Sequence, residues 1–200
     1  MIFARLLAMM VAMTLCVVAA PAFAQVTAYA AGEGAVNSVT VAIDVRASVR
    51  DRCGFATGGA PSGTIAQANF DQTGFTKDFA ITLNCTGASR IAVSSRNGGL
   101  ATDTSAPGYA SVAPYQVELR MVGDNGTAAS GSCAAATLGT AGGCGFSGTA
   151  GASNGLRLAA ASTRANGSYL RVRADAYAGA TPLLAGRYAD TLTVTVSVTP

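Results

Sequence analysis

Apolar residues recur at every second position in six stretches of this chain, the signature of strands with one buried face. The first is VTVAIDVRASV, with Val39, Val41, Ile43, Val45, Ala47 and Val49 on one parity. FAITLNC places Phe79, Ile81, Leu83 and Cys85 together, and IAVSS does the same for Ile91, Val93 and Ser95 before the turn Asn97-Gly98-Gly99. YQVELRM aligns Tyr115, Val117, Leu119 and Met121. LRVRADA aligns Leu170, Val172, Ala174 and Ala176, and the closing LTVTVSV aligns Leu192, Val194, Val196 and Val198. Weaker strands are expected at 65–70 and 156–160. With turn signals between short strands and no helical period, the pattern predicts an all-β antiparallel sandwich.

Three regions depart from this rhythm. Residues 123–155 hold ten glycines and read as a long irregular excursion. Residues 25–37, QVTAYAAGEGAVN, are small and glycine-containing and read as a flexible leader. Residues 1–24 carry one positive charge at Arg5, an apolar run and the small-x-small ending Ala22-Phe23-Ala24, the pattern of an export signal cleaved after Ala24. Beyond it no stretch is apolar over a length that spans a bilayer, so no stable membrane insertion is expected. The body, residues 53–200, has room for one sandwich.

Composition sharpens this picture. Of 200 residues 24 are glycine, none is tryptophan, and the net charge is +3, of which Arg5 contributes one. The basic residues are scattered, which gives no basis for nucleic acid as a partner. Cys16 would leave with the signal, and the four remaining cysteines of an exported chain read as two disulfides. Three pairings are possible. Cys53–Cys85 and Cys133–Cys144 are favoured, because the second closes a loop and the first staples the start of the domain to a core strand. Without CxxC spacing a zinc site has little support, and no metal or cofactor is expected.

The chain has no histidine, which removes Ser-His-Asp and Cys-His catalysis and imidazole metal sites. Asp71 with Asp78, or Asp175 with Asp190, are conceivable carboxylate pairs, but nothing in the spacing joins them. GCGFSG at 143–148 matches G-x-G-x-x-G, yet it lacks the preceding strand and following helix that a dinucleotide needs. Arg171 and Arg173 fall on the outer parity of their strand, a solvated face by default. No catalytic residue emerges, and the chain reads as a non-enzyme.

The two ends of the pattern raise a different possibility. LTVTVSV runs to the last residues, and as a sheet edge it offers unpaired N–H and C=O groups to another strand. At the other end, the alternating stretch 39–49 stands apart from the first cysteine of the body across Arg50-Asp51-Arg52. The N-terminal alternating strand, Cys53, GTIAQANF, the cysteine of ITLNCTG and the ending AGRYADTLTVTVSV together resemble the spore coat protein U domain, a family that includes subunits of archaic, Csu-type chaperone-usher pili. The likeness covers residues 39–200 and is most specific at Gly186, Tyr188, Asp190 and Thr191. The glycine-rich excursion and the leader have no place in it.

The resemblance implies an incomplete immunoglobulin-like sandwich completed by donor-strand exchange. Residues 38–52 would be donor strand and link, with Val39, Val41, Ile43, Val45, Ala47 and Val49 entering a neighbour's groove beside its Leu192, Val194, Val196 and Val198. The five larger side chains would contribute at most about 8 to 15 kcal/mol. The implied partners are neighbouring pilus subunits, of this or a related chain, a periplasmic chaperone and an outer-membrane usher. The implied location is the cell surface or the exterior, reached through the periplasm. Two readings stand against it: a secreted monomeric carbohydrate-binding or coat sandwich, and a secreted hydrolase with a carboxylate pair.

Overall fold

The structure is a computed structural model that describes residues 44–139 and 143–199. The expected export signal, the expected leader at 25–37 and the expected donor positions Val39, Val41 and Ile43 lie outside the described residues. The chain divides into two units, Met1–Ser48 and Val49–Pro200. In the first, residues 44–48 form no strand, and Asp44 pairs with Arg46 at 2.8 Å.

The second unit is built from antiparallel sheets. The larger has the order β1-β8-β5-β6, from β1 (Phe75–Ile81), β8 (Ser168–Ala174), β5 (Gln116–Val122) and β6 (Ala128–Ala134). The smaller has the order β7-β2-β9, from β7 (Leu156–Leu158), β2 (Ser89–Ser95) and β9 (Leu192–Val198). A two-stranded ribbon joins β3 (Leu100–Ala101) to β4 (Val112–Ala113), and two single-turn helices occupy α1 (Phe70–Thr73) and α2 (Ala135–Leu138). Among the described residues no helix is long and apolar enough to cross a membrane.

Strand alternation supplies the core. Val117, Leu119 and Met121 of β5 are completely buried, as are Ile91 and Val93 of β2, and Leu170, Val172 and Ala174 of β8 join them. On β5 and β8 the alternate residues point outward, whereas β2 buries Ala92 of its other row as well. The sandwich is therefore dictated by the period-two pattern.

Two expectations need correction. Residues 65–69 form no strand, and Phe70 opens a helical turn. Ile65 and Phe70 are five apart, which would put them on opposite faces of a strand, and Asn69 at φ 53° turns the chain into the left-handed region between them. The excursion at 123–155 is also less irregular than its glycines suggest, because β6 and α2 lie inside it. β6 returns from β5 across Asp124-Asn125-Gly126, with Val122 opposite Ala128 and Val117 opposite Cys133. Its inward row is Ala129, Gly131 and Cys133, too small to register as hydrophobic alternation. Gly131 must be small because a Cβ there would stand 3.2 Å from the ring of the buried Phe146.

Disulfides join Cys53 to Cys85 and Cys133 to Cys144. The second fastens β6 beside the turn that carries Phe146 into the core. That turn is GCGFSG: Phe146 and Ser147 pair with Val93 of β2, through Val93 N–H to the Phe146 carbonyl at 2.8 Å and Gly148 N–H to the Val93 carbonyl at 3.0 Å. Its glycines serve a tight return against a strand. Two disulfides in one small domain indicate an oxidising, extracytoplasmic setting.

Candidate functional site

One side of the sandwich is open. On the other side β6 and β7 approach each other, and Phe146 and the Cys133–Cys144 bridge fill the space between them. Here β1 and β9 stand as the outer strands of their sheets, and between them runs a groove of about 1340 Å³. Phe75 and Phe79 of β1, Leu170 and Val172 of β8, and Leu192 and Val194 of β9 line its apolar wall. Residues 61–71 and 183–191 form its rims.

The groove does not run the full length of the edge. The segment before β1 pairs with the chain just after it: Ala56 N–H donates to the Thr82 carbonyl at 2.9 Å, Asn84 N–H to Gly54 at 2.9 Å and Thr86 N–H to Arg52 at 3.0 Å. Cys53 and Phe55 pack against the core there. Leu192, Val194 and Val196 all pack against the core, but only Leu192 and Val194 also line the groove, and Val198 lies at the exposed far end. The geometry divides the four alternating positions of β9 into two pairs, a division invisible in LTVTVSV.

β9 is held on its inner edge alone. Its full length pairs with β2, from Ser95↔Leu192 to Ser89↔Val198, and it is the end strand of its sheet. Every residue of β9 except Thr193 and Val198 is only half-buried. Main-chain groups on its outer edge thus border an apolar trough, the two features that recognise an added strand.

Asp190 fixes the start of β9. Its Oδ2 accepts the Ser95 hydroxyl at 2.5 Å and the Tyr115 hydroxyl at 2.6 Å, and its Oδ1 accepts the backbone N–H of Asn97 at 3.0 Å and of Thr191 at 2.7 Å. Burial first, and then the carboxylate that accepts its proton, push the Tyr115 hydroxyl far above its ordinary value of 10.0. Tyr188 stands on the same rim, donating toward the carbonyls of Leu184 at 2.9 Å and Ala110 at 3.1 Å, with its ring edge-on to Phe70 of the facing rim at 5.6 Å. A Cβ at Gly186 would approach the Thr102 hydroxyl to 3.3 Å. Gly186, Tyr188, Asp190 and Thr191 all border the groove.

Of the expected donor positions, Val45, Ala47 and Val49 are described; all are exposed, Val45 at 83% and Val49 at 81%, and residues 44–52 form no strand. The other chemistry weighed on the sequence is dispersed. Asp78 binds Arg171 at 2.7 Å, and the Arg171 guanidinium holds that carboxyl below its usual range. Asp175 binds Arg173 at 2.6 Å, and Asp190 is committed to Ser95 and Tyr115. Among the described residues no group of three or more acidic, histidine or cysteine side chains is arranged to hold a metal. Sequence reading missed the aromatic wall as a wall: Phe79 is legible as a strand residue, but that Phe75 and Phe79 line an open groove depends on which strands pair.

No family model, curated protein or solved structure matches the chain.

Proposed function

We propose that this chain is a non-enzymatic structural subunit of a chaperone-usher surface pilus, an incomplete immunoglobulin-like sandwich that accepts a strand from one neighbour and gives its own residues 38–52 to another. The observation that carries the reading is the apolar groove between β1 and β9, beside the outer edge of β9. The order of the strands supports it. The segment around Phe55, β1, β8 and β5 succeed one another as the A, B, E and D strands of an immunoglobulin sheet, and β9 and β2 stand as F and C, leaving the place of G empty.

The donor stretch has the complementary chemistry. Val39, Val41, Ile43, Val45, Ala47 and Val49 occupy one parity, and Asp44, Arg46 and Ser48 the other. An added strand would pair its backbone with β9 and lay its apolar row over Phe75, Phe79, Leu192 and Val194, at about 1.5 to 3 kcal/mol for each side chain fully buried. β9 has seven residues, about 23 Å of edge. Only part of the stretch can therefore pair at once, and the remainder spans toward the donor's own body. Giving at one end and receiving at the other is a head-to-tail contact that does not close, so it builds a fibre. A chaperone strand in the same groove, exchanged at an usher, is the route the resemblance implies, with adhesion or biofilm formation as the role.

The test is Ile43→Lys combined with Val45→Asp in cells that assemble the fibre. Surface fibres seen by electron microscopy should disappear while the variant still co-purifies with the chaperone, because its groove is unchanged. Fibres at wild-type abundance would refute the donor assignment.

A further inference from the structure

The outer faces of the two sheets differ in their arginines: among the described residues the larger pairs Arg171 and Arg173 but not Arg120, and the smaller pairs neither of its two. On the larger sheet Arg171 lies between Asp78 and Glu118, at 2.7 and 3.5 Å, and Arg173 binds Asp175. The smaller sheet has no acidic residue in any of its three strands, SRIAVSS, LRL and LTVTVSV. It nevertheless sets Arg90 of β2 directly opposite Arg157 of β7. Cβ atoms so placed are about 4.5 to 5.5 Å apart, and like charges in that position repel. Among the described residues neither guanidinium has an ion-pair partner.

Arg90 is also held in place. Its Nη1 donates to the Gly155 carbonyl at 2.7 Å, and its Nε is buried with no hydrogen-bond partner. A guanidinium partly withdrawn from water attracts an anion more strongly than one in bulk solvent. Ser197 of β9 stands opposite Arg90 on its other side, its hydroxyl donating to the Val198 carbonyl at 3.1 Å, so the two arginines alone face the anion. Arg157 is exposed and free to close on a ligand.

We propose that this pair is a binding site for a single oxyanion of the sulfate, phosphate or carboxylate class, gripped by Arg90 and Arg157. Planar guanidinium groups match such oxygens in a bidentate manner. The oxyanion is supplied either as a free ion or as a substituent of an acidic polysaccharide. The site lies on the outer face of the smaller sheet, apart from the groove, and does not depend on strand exchange.

The test is a titration of the full chain, with isotope-labelled arginine, followed through its guanidinium nuclear magnetic resonances. Sodium sulfate should shift the Arg90 and Arg157 signals to saturation, while sodium chloride at equal ionic strength should not. Arg157→Gln should weaken sulfate binding about tenfold, the loss of roughly one charge-assisted hydrogen bond, and Arg173→Gln on the other sheet should leave it unchanged. A sulfated oligosaccharide that displaces sulfate at lower concentration identifies the polysaccharide as the source; one that binds no more tightly than sulfate identifies the free ion. Shifts that never saturate, that chloride reproduces, or that survive intact in Arg157→Gln overturn the proposal.

Discussion

Asp190 shows how much one side chain decides at the rim of the groove. Four donors converge on its carboxylate, two of them the hydroxyls of Ser95 and the buried Tyr115. Asp190→Ala should strand those hydroxyls and lower unfolding free energy by about 1 to 3 kcal/mol in urea denaturation. Because the folded Tyr115 hydroxyl resists ionisation, its contribution to stability is complete below its ordinary value of 10.0 and is lost as pH rises above it; a Tyr115→Phe chain should lose less stability between neutral pH and pH 11. Asp124 works in the opposite direction. Backbone N–H groups of Arg164 and Thr163, the Thr163 hydroxyl and the N–H of Ala165 hold its carboxyl at about 2. Its contribution is present above 3.8 and disappears as pH falls toward about 2, so Asp124→Asn should flatten the stability profile across that acid window.

At the scale of elements, edge strands govern behaviour. β1 carries Phe75, Lys77, Phe79 and Ile81 on one parity, and Lys77 interrupts the apolar row beside the groove. An inward-parity charge on an edge discourages indiscriminate pairing. Lys77→Val should make the row continuous and increase concentration-dependent association, measured by analytical ultracentrifugation. β6 is secured by the Cys133–Cys144 bridge, which spans a sequence separation of 11. Replacing both cysteines with serine should cost about 3 kcal/mol in the chain-entropy account and release the turn that seats Phe146. The alternation of β5, β8 and β9 was legible because large apolar residues mark their inner rows. β6 was not, since Ala129, Gly131 and Cys133 bury by fitting under Phe146, a partner far along the chain.

For the whole molecule, the proposed function makes stability depend on what fills the groove between β1 and β9. Appending residues 38–50 to the C-terminus through a flexible linker should let the chain complete itself. On the proposed function, that self-complemented chain should be monomeric and melt at least about 10 °C higher than the parent, since each kcal/mol is worth about 2 to 8 °C in domains of this range. Equal melting temperatures in calorimetry would mean that the groove does not bind this strand.

What the sequence determined by itself is the class of the fold and the parity of its strands, because a period of two is a local property that each strand carries without reference to the others. It also made the cysteine pairs readable, since few cysteines leave few ways to join them. Only the tertiary structure decided that β1 and β9 border an open apolar groove, that residues 54–59 close one end of it, and that Arg90 and Arg157 meet in register. Those are relations between strands remote in the chain, set by which edges pair and at what offset, and the hydrophobic pattern of one strand contains no information about its neighbour's register.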